Sequence, residues 1–235
     1  MMRQEQLGKS FFTSWSGRLL SVVLLGSLGT CLAFSNLACV SHRPSSLTVP
    51  LELRPTDLPN GAISLPTNPG KVYIAQVIDN RDHKDRIGDN LEEATPVPIY
   101  ADSNPTEFVR RSISDQLKGD GVNITNNPME ADLTMTVTLN RFWVAESPNY
   151  EANIAIAVEL KGRGDMSVYN GLATGHDSTF GKSLSVENYQ QVLSNAMVNV
   201  VAGLVAKPDF QKALSVGPGQ MQGGPGGMGG GAVAH

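Results

Sequence analysis

The chain has 235 residues, of which 40% are hydrophobic and 17% are charged, and its formal net charge is −4. This length accommodates one domain with terminal extensions. Because the first 38 residues carry three basic side chains and one acidic, the remainder has a net charge of about −6. Nucleic-acid binding depends on basic contacts with phosphates, so this acidic chain argues against a nucleic-acid partner.

An apolar run with a basic leader occupies residues 19–39 and ends at Cys39. Basic residues, a short apolar segment and small residues before a cut are typical of an export signal. A helix that spans a membrane needs about 20 predominantly apolar residues. Serine, glycine and threonine interrupt this run, so a retained membrane helix is the weaker alternative. We therefore predict a signal peptide over residues 1–38.

Residues 36–39 (Asn-Leu-Ala-Cys) resemble the lipobox of bacterial lipoproteins, although Asn36 stands where an aliphatic residue is usual. The resemblance implies that Cys39 becomes the first residue of the mature protein and carries lipid. The chain's other cysteine, Cys31, would leave with the leader, and lipidation would then account for the remaining thiol. Two alternatives stay open, namely a cut before Cys31 and ordinary signal cleavage after residues 33–35.

Composition divides the remaining chain into three parts. Residues 39–70 contain six prolines, which lack an amide donor and favour extended geometry, so we expect a tether with an edge strand near Leu47–Leu53. Residues 71–215 have the periodic apolar patterns of a folded domain. Residues 216–235 are rich in glycine and cannot bury enough apolar surface to offset chain entropy, so we expect a disordered tail.

The apolar periodicity of the domain predicts an α+β fold. A mixed or antiparallel sheet of about five strands should be packed on one face by two helices. A change of parity after Leu139 indicates a bulge near Asn140–Arg141. Strands are expected at 71–78, 122–125, 133–144, 150–160 and 166–174, helices at 105–118 and 186–206, and a last turn or two of helix at 209–214.

The most charged stretch is residues 79–89. Its acids suggest calcium, but their spacing does not match the alternating ligands of an EF-hand loop. A solvated loop with local ion pairs, a recognition surface and, with least support, a metal site remain as interpretations. We name Asp79, Arg81, Asp82 and His83 as a candidate recognition loop, and we expect neither a metal nor a cofactor.

No motif of an enzyme is present in the sequence. The run His176-Asp177-Ser178 contains the residue types of a catalytic triad, but neighbours on a strand point to opposite faces and cannot form one relay. The G-x-S-x-G and H-E-x-x-H motifs are absent from the sequence. We therefore expect a non-enzymatic protein. A hydrolase is the weakest hypothesis, and Arg81, Asp82 and His83 are the group that it would have to use.

The pattern resembles the YajG-like family of bacterial lipoproteins over residues 46–215. The resemblance rests on element order, the lipidation cysteine, the V-x-x-x-x-V-x-D-x-R run at 72–81 followed by Gly88, and the Ala-Asp strand opening at 131–132. It implies an outer-membrane protein without assigned catalytic residues. Val40, which follows the cysteine, is not the aspartate that retains enterobacterial lipoproteins in the inner membrane.

These observations predict a lipoprotein of the outer membrane, anchored through Cys39, with its domain facing the periplasm. Its expected role is non-enzymatic, either binding an unidentified envelope protein or lipid or maintaining the envelope. The layout is also loosely similar to auxiliary lipoproteins of envelope lipid transporters. The alternative function is therefore a lipid-binding subunit of such a system, which predicts an apolar groove beside the long helix at 186–206.

Overall fold

The structure is a computed structural model that describes residues 44–56 and 69–215, so Cys39, the predicted leader and the glycine-rich tail lie outside it. Within these residues, eight strands form one mixed sheet with three α-helices. The strands are β1 (Leu47–Val49), β2 (Val72–Asp79), β3 (Gly88–Asn90), β4 (Val97–Ala101), β5 (Ile124–Thr125), β6 (Leu133–Glu146), β7 (Tyr150–Gly162) and β8 (Ser167–Thr179). The helices are α1 (Pro105–Gly119), α2 (Val186–Val205) and α3 (Pro208–Leu214), and a 3-10 turn covers Pro128–Glu130.

The α+β class is confirmed, but the predicted number of elements is wrong, since eight strands and three helices replace about five strands and two helices. The strands β3 and β4 were not predicted, because their sequences lack the apolar periodicity that is typical of a strand. Strand β3 is Gly-Asp-Asn, and β4 contains Pro98. Proline cannot donate to a sheet and ordinarily argues against a strand.

Strand β6, which is 14 residues long, is the centre of the sheet. On one side it pairs along its whole length with antiparallel β7, which pairs in turn with β8. On the other side, its first half pairs with parallel β2 and its last three residues pair with parallel β3. Strand β2 continues to β5, and β3 continues to β4 and β1. The sheet therefore contains parallel and antiparallel pairs.

The predicted bulge in β6 is confirmed by a register shift between Leu139 and Arg141. The extra residue changes the parity of the sequence but keeps one face of the strand buried throughout. Helices α1 and α2 contact each other and the sheet, and they cover this face. The buried side chains of β6 on it are Leu133, Met135, Val137, Leu139, Phe142, Val144 and Glu146.

Helix α2 is buried on almost every side. Its apolar stripe packs on β7 and β8, while the segment after β1 covers its polar side. There the backbone N–H of Arg54 donates to Ser194 Oγ (3.0 Å) and that of Thr56 donates to Asn195 Oδ1 (3.0 Å). Leu51 is buried in the same segment. Part of the range that we predicted as a tether therefore contributes to the folded core.

No helix in residues 44–56 and 69–215 is long and apolar enough to cross a membrane.

Helix α2 comes closest to the sheet at Gly175 of β8. A Cβ atom at this position would overlap the carbonyl oxygen of Ala196 and would lie 2.7 Å from the backbone nitrogen of Val200. Both neighbours are backbone atoms of the helix, so a rotamer change cannot relieve the overlap. Glycine is therefore required here for the helix to pack on the strand.

We expect Gly175→Ala to lower the free energy of unfolding by about 2 kcal/mol or more, because α2 must move away from the sheet. Urea denaturation followed by circular dichroism measures the change. Gly119→Ala is the control, since a Cβ at Gly119 meets no atom within 4 Å. Equal stability of the two variants would contradict the close packing at Gly175.

Candidate functional site

A buried arginine organises the loop after β2. Arg81 is only 5% exposed, and its Nε and Nη2 each donate to one carboxylate oxygen of Asp79 at 2.9 Å. Such bidentate pairs combine charge with fixed geometry. Its Nη1 also donates to the carbonyl oxygen of Arg86 at 3.3 Å. The guanidinium group thus ties the beginning of the loop to its end.

The hydrogen bonds from Arg81 hold the pKa of the Asp79 carboxyl below its ordinary value, although partial burial of the carboxyl opposes this effect. Asp79 therefore stays ionised at neutral pH and compensates the buried guanidinium charge. The ion pair therefore stabilises the conformation of the loop, and it leaves little of Arg81 accessible to a ligand.

This loop crosses a gap in the sheet. Strand β6 pairs with β2 as far as Leu139 and with β3 from Val144, so no strand lies beside residues 140–143 on that side. The loop spans the gap with one backbone hydrogen bond at each end, from Asn80 N to Leu139 O (2.9 Å) and from Val144 N to Ile87 O (2.8 Å). Because the bulge of β6 lies in the same gap, the backbone leaves a hollow there.

The hollow is a pocket of about 280 Å³ lined by residues 81–83 and 140–143. We call it the loop pocket. The ring centroids of His83 and Trp143 are 5.4 Å apart at an angle of 44°, and the guanidinium carbon of Arg86 lies 5.8 Å from the Trp143 ring centroid. That distance is in the range of a cation–π contact. Asp82, His83 and Arg141 are exposed.

The structure brings the four predicted residues together but gives them different positions. Asp82 and His83 are exposed at the loop pocket, whereas Arg81 lies in its wall and pairs with Asp79. Sequence reasoning missed the contribution of Trp143, which is about sixty positions away along the chain. The change of parity near residues 140–141 could have identified Trp143 as a candidate, because a bulge changes the direction of the side chains beside it.

The loop pocket combines an aromatic ring with cationic and acidic groups, an arrangement suited to binding by stacking and hydrogen bonding. In the described part of the chain, no group of three or more His, Cys, Asp or Glu residues could hold a metal ion.

The run His176-Asp177-Ser178 lies outside the loop pocket, on β8. Nδ1 of His176 lies 3.3 Å from Asn153 Oδ1, whereas Asp177 accepts a hydrogen bond from Asn195 of α2. These strand neighbours therefore point to opposite faces of β8, as predicted.

A second polar cluster surrounds Glu146 at the end of β6. The side chain is fully buried, and its Oε2 accepts hydrogen bonds from Asn90 Nδ2 and from the Tyr189 hydroxyl, both at 2.6 Å. The backbone N–H of Leu184 also donates to both carboxylate oxygens, at 3.2 and 3.3 Å. Burial raises the pKa of Tyr189, and the bond to Glu146 adds to this rise, so the phenol remains a neutral donor.

This cluster fixes the start of α2. Leu184 has a φ of 55°, a backbone conformation that costs energy for a residue with a side chain, and Glu146 binds its N–H. Tyr150 accepts a hydrogen bond from Ser185 N at 3.0 Å, and its ring packs edge-on against Tyr189 at 4.8 Å. This cluster could not be predicted from the sequence, because Glu146 stands directly before a Ser-Pro-Asn turn, where an acid is ordinarily a solvated turn residue.

No protein-family model matches the sequence, and no curated protein matches it significantly. Among solved structures, the chain is similar to a Xanthomonas campestris protein described as a member of the family DUF330. The TM-score is 0.51 and the identity is 14%, over 70% of this chain and 95% of the other. The two proteins share a fold.

Two named lipoproteins are more distantly similar. One is from Neisseria meningitidis, with a TM-score of 0.33 and 9% identity over 51% of this chain and 91% of that one. The other is a minor lipoprotein of Acinetobacter baumannii, with a TM-score of 0.37 and 9% identity over 63% and 96% of the two chains. Likenesses at this level carry no argument about function, and the YajG-like relationship stays a prediction.

We expect Asp79→Asn to lower the free energy of unfolding by about 2–4 kcal/mol at pH 7, because it leaves the guanidinium of Arg81 buried without a counter-charge. Since the folded-state pKa of Asp79 lies below its ordinary value of 3.8, the advantage of the wild type should be full above that pH. It should shrink as the pH falls below 3.8 and Asp79 becomes protonated. Urea denaturation at a series of pH values measures this difference. Asp82→Asn, at an exposed position of the same loop, is the control and should change stability little at any of these pH values.

We expect Glu146→Ala to cost about 3–5 kcal/mol, because three buried donors lose their acceptor. Thermal and urea denaturation measure the loss, and near-ultraviolet circular dichroism should report loosened packing of Tyr150 and Tyr189. Glu151→Ala, at an exposed position of the next strand, should be close to neutral. If the two variants are equally stable, the cluster does not hold the start of α2.

Proposed function

We propose that this chain is a lipoprotein of the bacterial outer membrane, anchored by lipid on Cys39 with its domain facing the periplasm, and that it binds an envelope partner through the loop pocket. The role is non-enzymatic. The export-type leader and the lipobox-like residues 36–39 support the anchor. Each buried methylene of an acyl chain contributes about 0.8 kcal/mol, so two or three chains would hold the protein durably at a membrane.

The observation that carries partner binding is the pre-organised loop pocket. The Arg81–Asp79 pair and the two backbone bonds to β6 hold the loop in place without a ligand. A binding surface that is already ordered avoids the entropy cost of ordering on association. Asp82, His83 and Arg141 remain exposed around the half-buried Trp143, a composition that suits a polar protein surface with an aromatic or charged anchor.

The alternative, a lipid-binding subunit of an envelope transport system, requires an apolar groove beside the long helix. Along α2, the described residues instead bury the apolar stripe against β7 and β8 and cover the polar side with residues 52–56. The loop pocket is lined by charged, amide and aromatic side chains. These observations favour a protein partner over a lipid acyl chain.

A photo-crosslinking amino acid at position 83, introduced in intact cells, tests the proposal. We expect one discrete crosslinked partner with the lipidated chain, and loss of this product in the background of Trp143→Ala, because that variant removes the indole ring from the loop pocket. The same crosslinker at Met129, which is 88% exposed at a distant turn, is the positional control.

Cys39→Ala and Cys31→Ala provide matched controls for the anchor. Cys39→Ala should abolish acyl labelling and release the chain from the membrane fraction, whereas Cys31→Ala should change neither. Identical crosslinked products at positions 83 and 129 would contradict the proposed binding site. Unchanged acyl labelling in the Cys39→Ala chain would contradict the proposed anchor.

A further inference from the structure

The chain enters the fold near one end of the sheet. Leu47, the first residue of β1, is in register with Ile99 of β4. Ile99 is in register with Gly88 of β3, and Gly88 is in register with Val144 of β6. The chain therefore joins the sheet two residues before the end of β6 at Glu146. We call this end of the sheet the entry end.

The length of chain before Leu47 limits how the domain can lie at a membrane. Residues 39–47 are eight peptide units, which span at most about 29 Å when fully extended. Strand β6 begins at Leu133, eleven residues before Val144, so the opposite end of the sheet lies about 36 Å from the level of Leu47. If Cys39 carries the lipid, the entry end can reach the lipid surface, whereas the opposite end cannot.

The entry end presents apolar side chains to solvent. Phe180 follows β8 and is 79% exposed. Leu91 follows β3 and is 45% exposed, and its backbone N–H donates to the carbonyl oxygen of Glu146 at 2.8 Å. Glu146, Tyr150 and Thr179 are successive partners across the sheet. The two apolar residues therefore lie at one level, about 14 Å apart across three strand spacings.

Exposure alone does not select the entry end. Met129, which precedes β6, is 88% exposed, and Met166, in the hairpin between β7 and β8, is 62% exposed. Both lie at the opposite end of the sheet. The short reach from Cys39 is what sets Phe180 and Leu91 apart, because it keeps their end of the domain beside the lipid.

We propose that the entry end docks on the lipid surface, with the side chains of Phe180 and Leu91 at the boundary between headgroups and acyl chains. The proposal rests on the proposed lipid anchor at Cys39. Aromatic and aliphatic side chains are those that interfacial protein surfaces bury at this boundary. Because the anchor makes the contact intramolecular, a few apolar side chains are sufficient to orient the domain.

The charges at the entry end indicate the kind of lipid. Glu92 and Glu93 follow Leu91 and are exposed, and Lys182, two residues after Phe180, is an exposed cation. The negative potential of an anionic membrane would repel the two carboxylates. A zwitterionic lipid surface is therefore the partner that fits this end of the domain.

Fluorescence of single labels in protein-free vesicles tests the docking. After removal of the leader and acylation of Cys39, an introduced cysteine is the one free thiol of the chain. In phosphatidylcholine vesicles, an environment-sensitive fluorophore on Phe180→Cys should shift its emission to shorter wavelength and should be quenched by lipids brominated in the acyl chain. Met166→Cys, exposed at the opposite end, is the matched control and should show neither effect. A label on Leu172→Cys, which is 63% exposed midway along β8, reports a domain that lies on its side.

A charge substitution tests whether Phe180 itself makes the contact. Phe180→Glu should reduce the quenching of a label on Leu91→Cys at least twofold, whereas Met166→Glu should leave it unchanged. Both positions are exposed, so neither change should alter the fold, and circular dichroism verifies this. Quenching at position 91 that survives Phe180→Glu contradicts the proposal.

Flotation of the chain with the vesicles reports the anchor separately from the docking. If the chain floats but is quenched equally at positions 180 and 166, or more at 172 than at 180, the docking is overturned and the anchor is retained. If Cys39→Ala floats as the parent chain does, the anchor fails and the docking fails with it. If position 180 is shielded from a water-soluble thiol reagent in intact cells but is not quenched in vesicles, a protein covers the entry end, which also overturns the proposal.

Discussion

The buried face of β6 is the constraint on which the rest of the structure depends. Its apolar side chains must stay under the helices along 14 residues, and the bulge after Leu139 preserves this burial while the strand changes neighbours. The cost of the arrangement is a gap beside residues 140–143. The loop after β2 crosses this gap, and the loop pocket lies there because the backbone of the sheet is interrupted.

Two carboxylates stabilise the two ends of the segment that crosses this gap, and they do so through different partners. Asp79 is paired with a cation, so its charge compensates the buried guanidinium of Arg81. Glu146 is bound instead by neutral donors from Asn90, Tyr189 and the backbone of Leu184, which connect β3, β6 and α2. Gly88 lies between these two carboxylates in the sequence. It must be glycine for β3 to pair with β6, because a Cβ at this position would overlap the carbonyl oxygen of Val144. The loop is therefore held at both ends by interactions that involve few side chains.

The sequence predicted those parts of the fold that periodicity controls. Helix α1 begins after Asn104, whose side chain accepts from Thr106 N as expected of a cap, and α2 ends within a residue of its predicted end. The sequence could not predict pairing that depends on distant contacts. Strand β3 has a polar sequence and exists because Gly88–Asn90 lies against residues 144–146. Strand β8 extends five residues beyond its predicted end, since pairing with β7 outweighs the weak strand preference of Gly-His-Asp.

The candidate site was also predicted only where local sequence determines it. The local charge pattern identified the loop after β2. It could not show which side chains of the loop form contacts within the protein, because the burial of Arg81 depends on the gap beside β6. Trp143 of the loop pocket lies on the open face of the sheet, in register with Asn153 of β7 and His176 of β8. The contact between His83 and Trp143 therefore depends on the register of β6 in the sheet, which no local pattern in the sequence specifies.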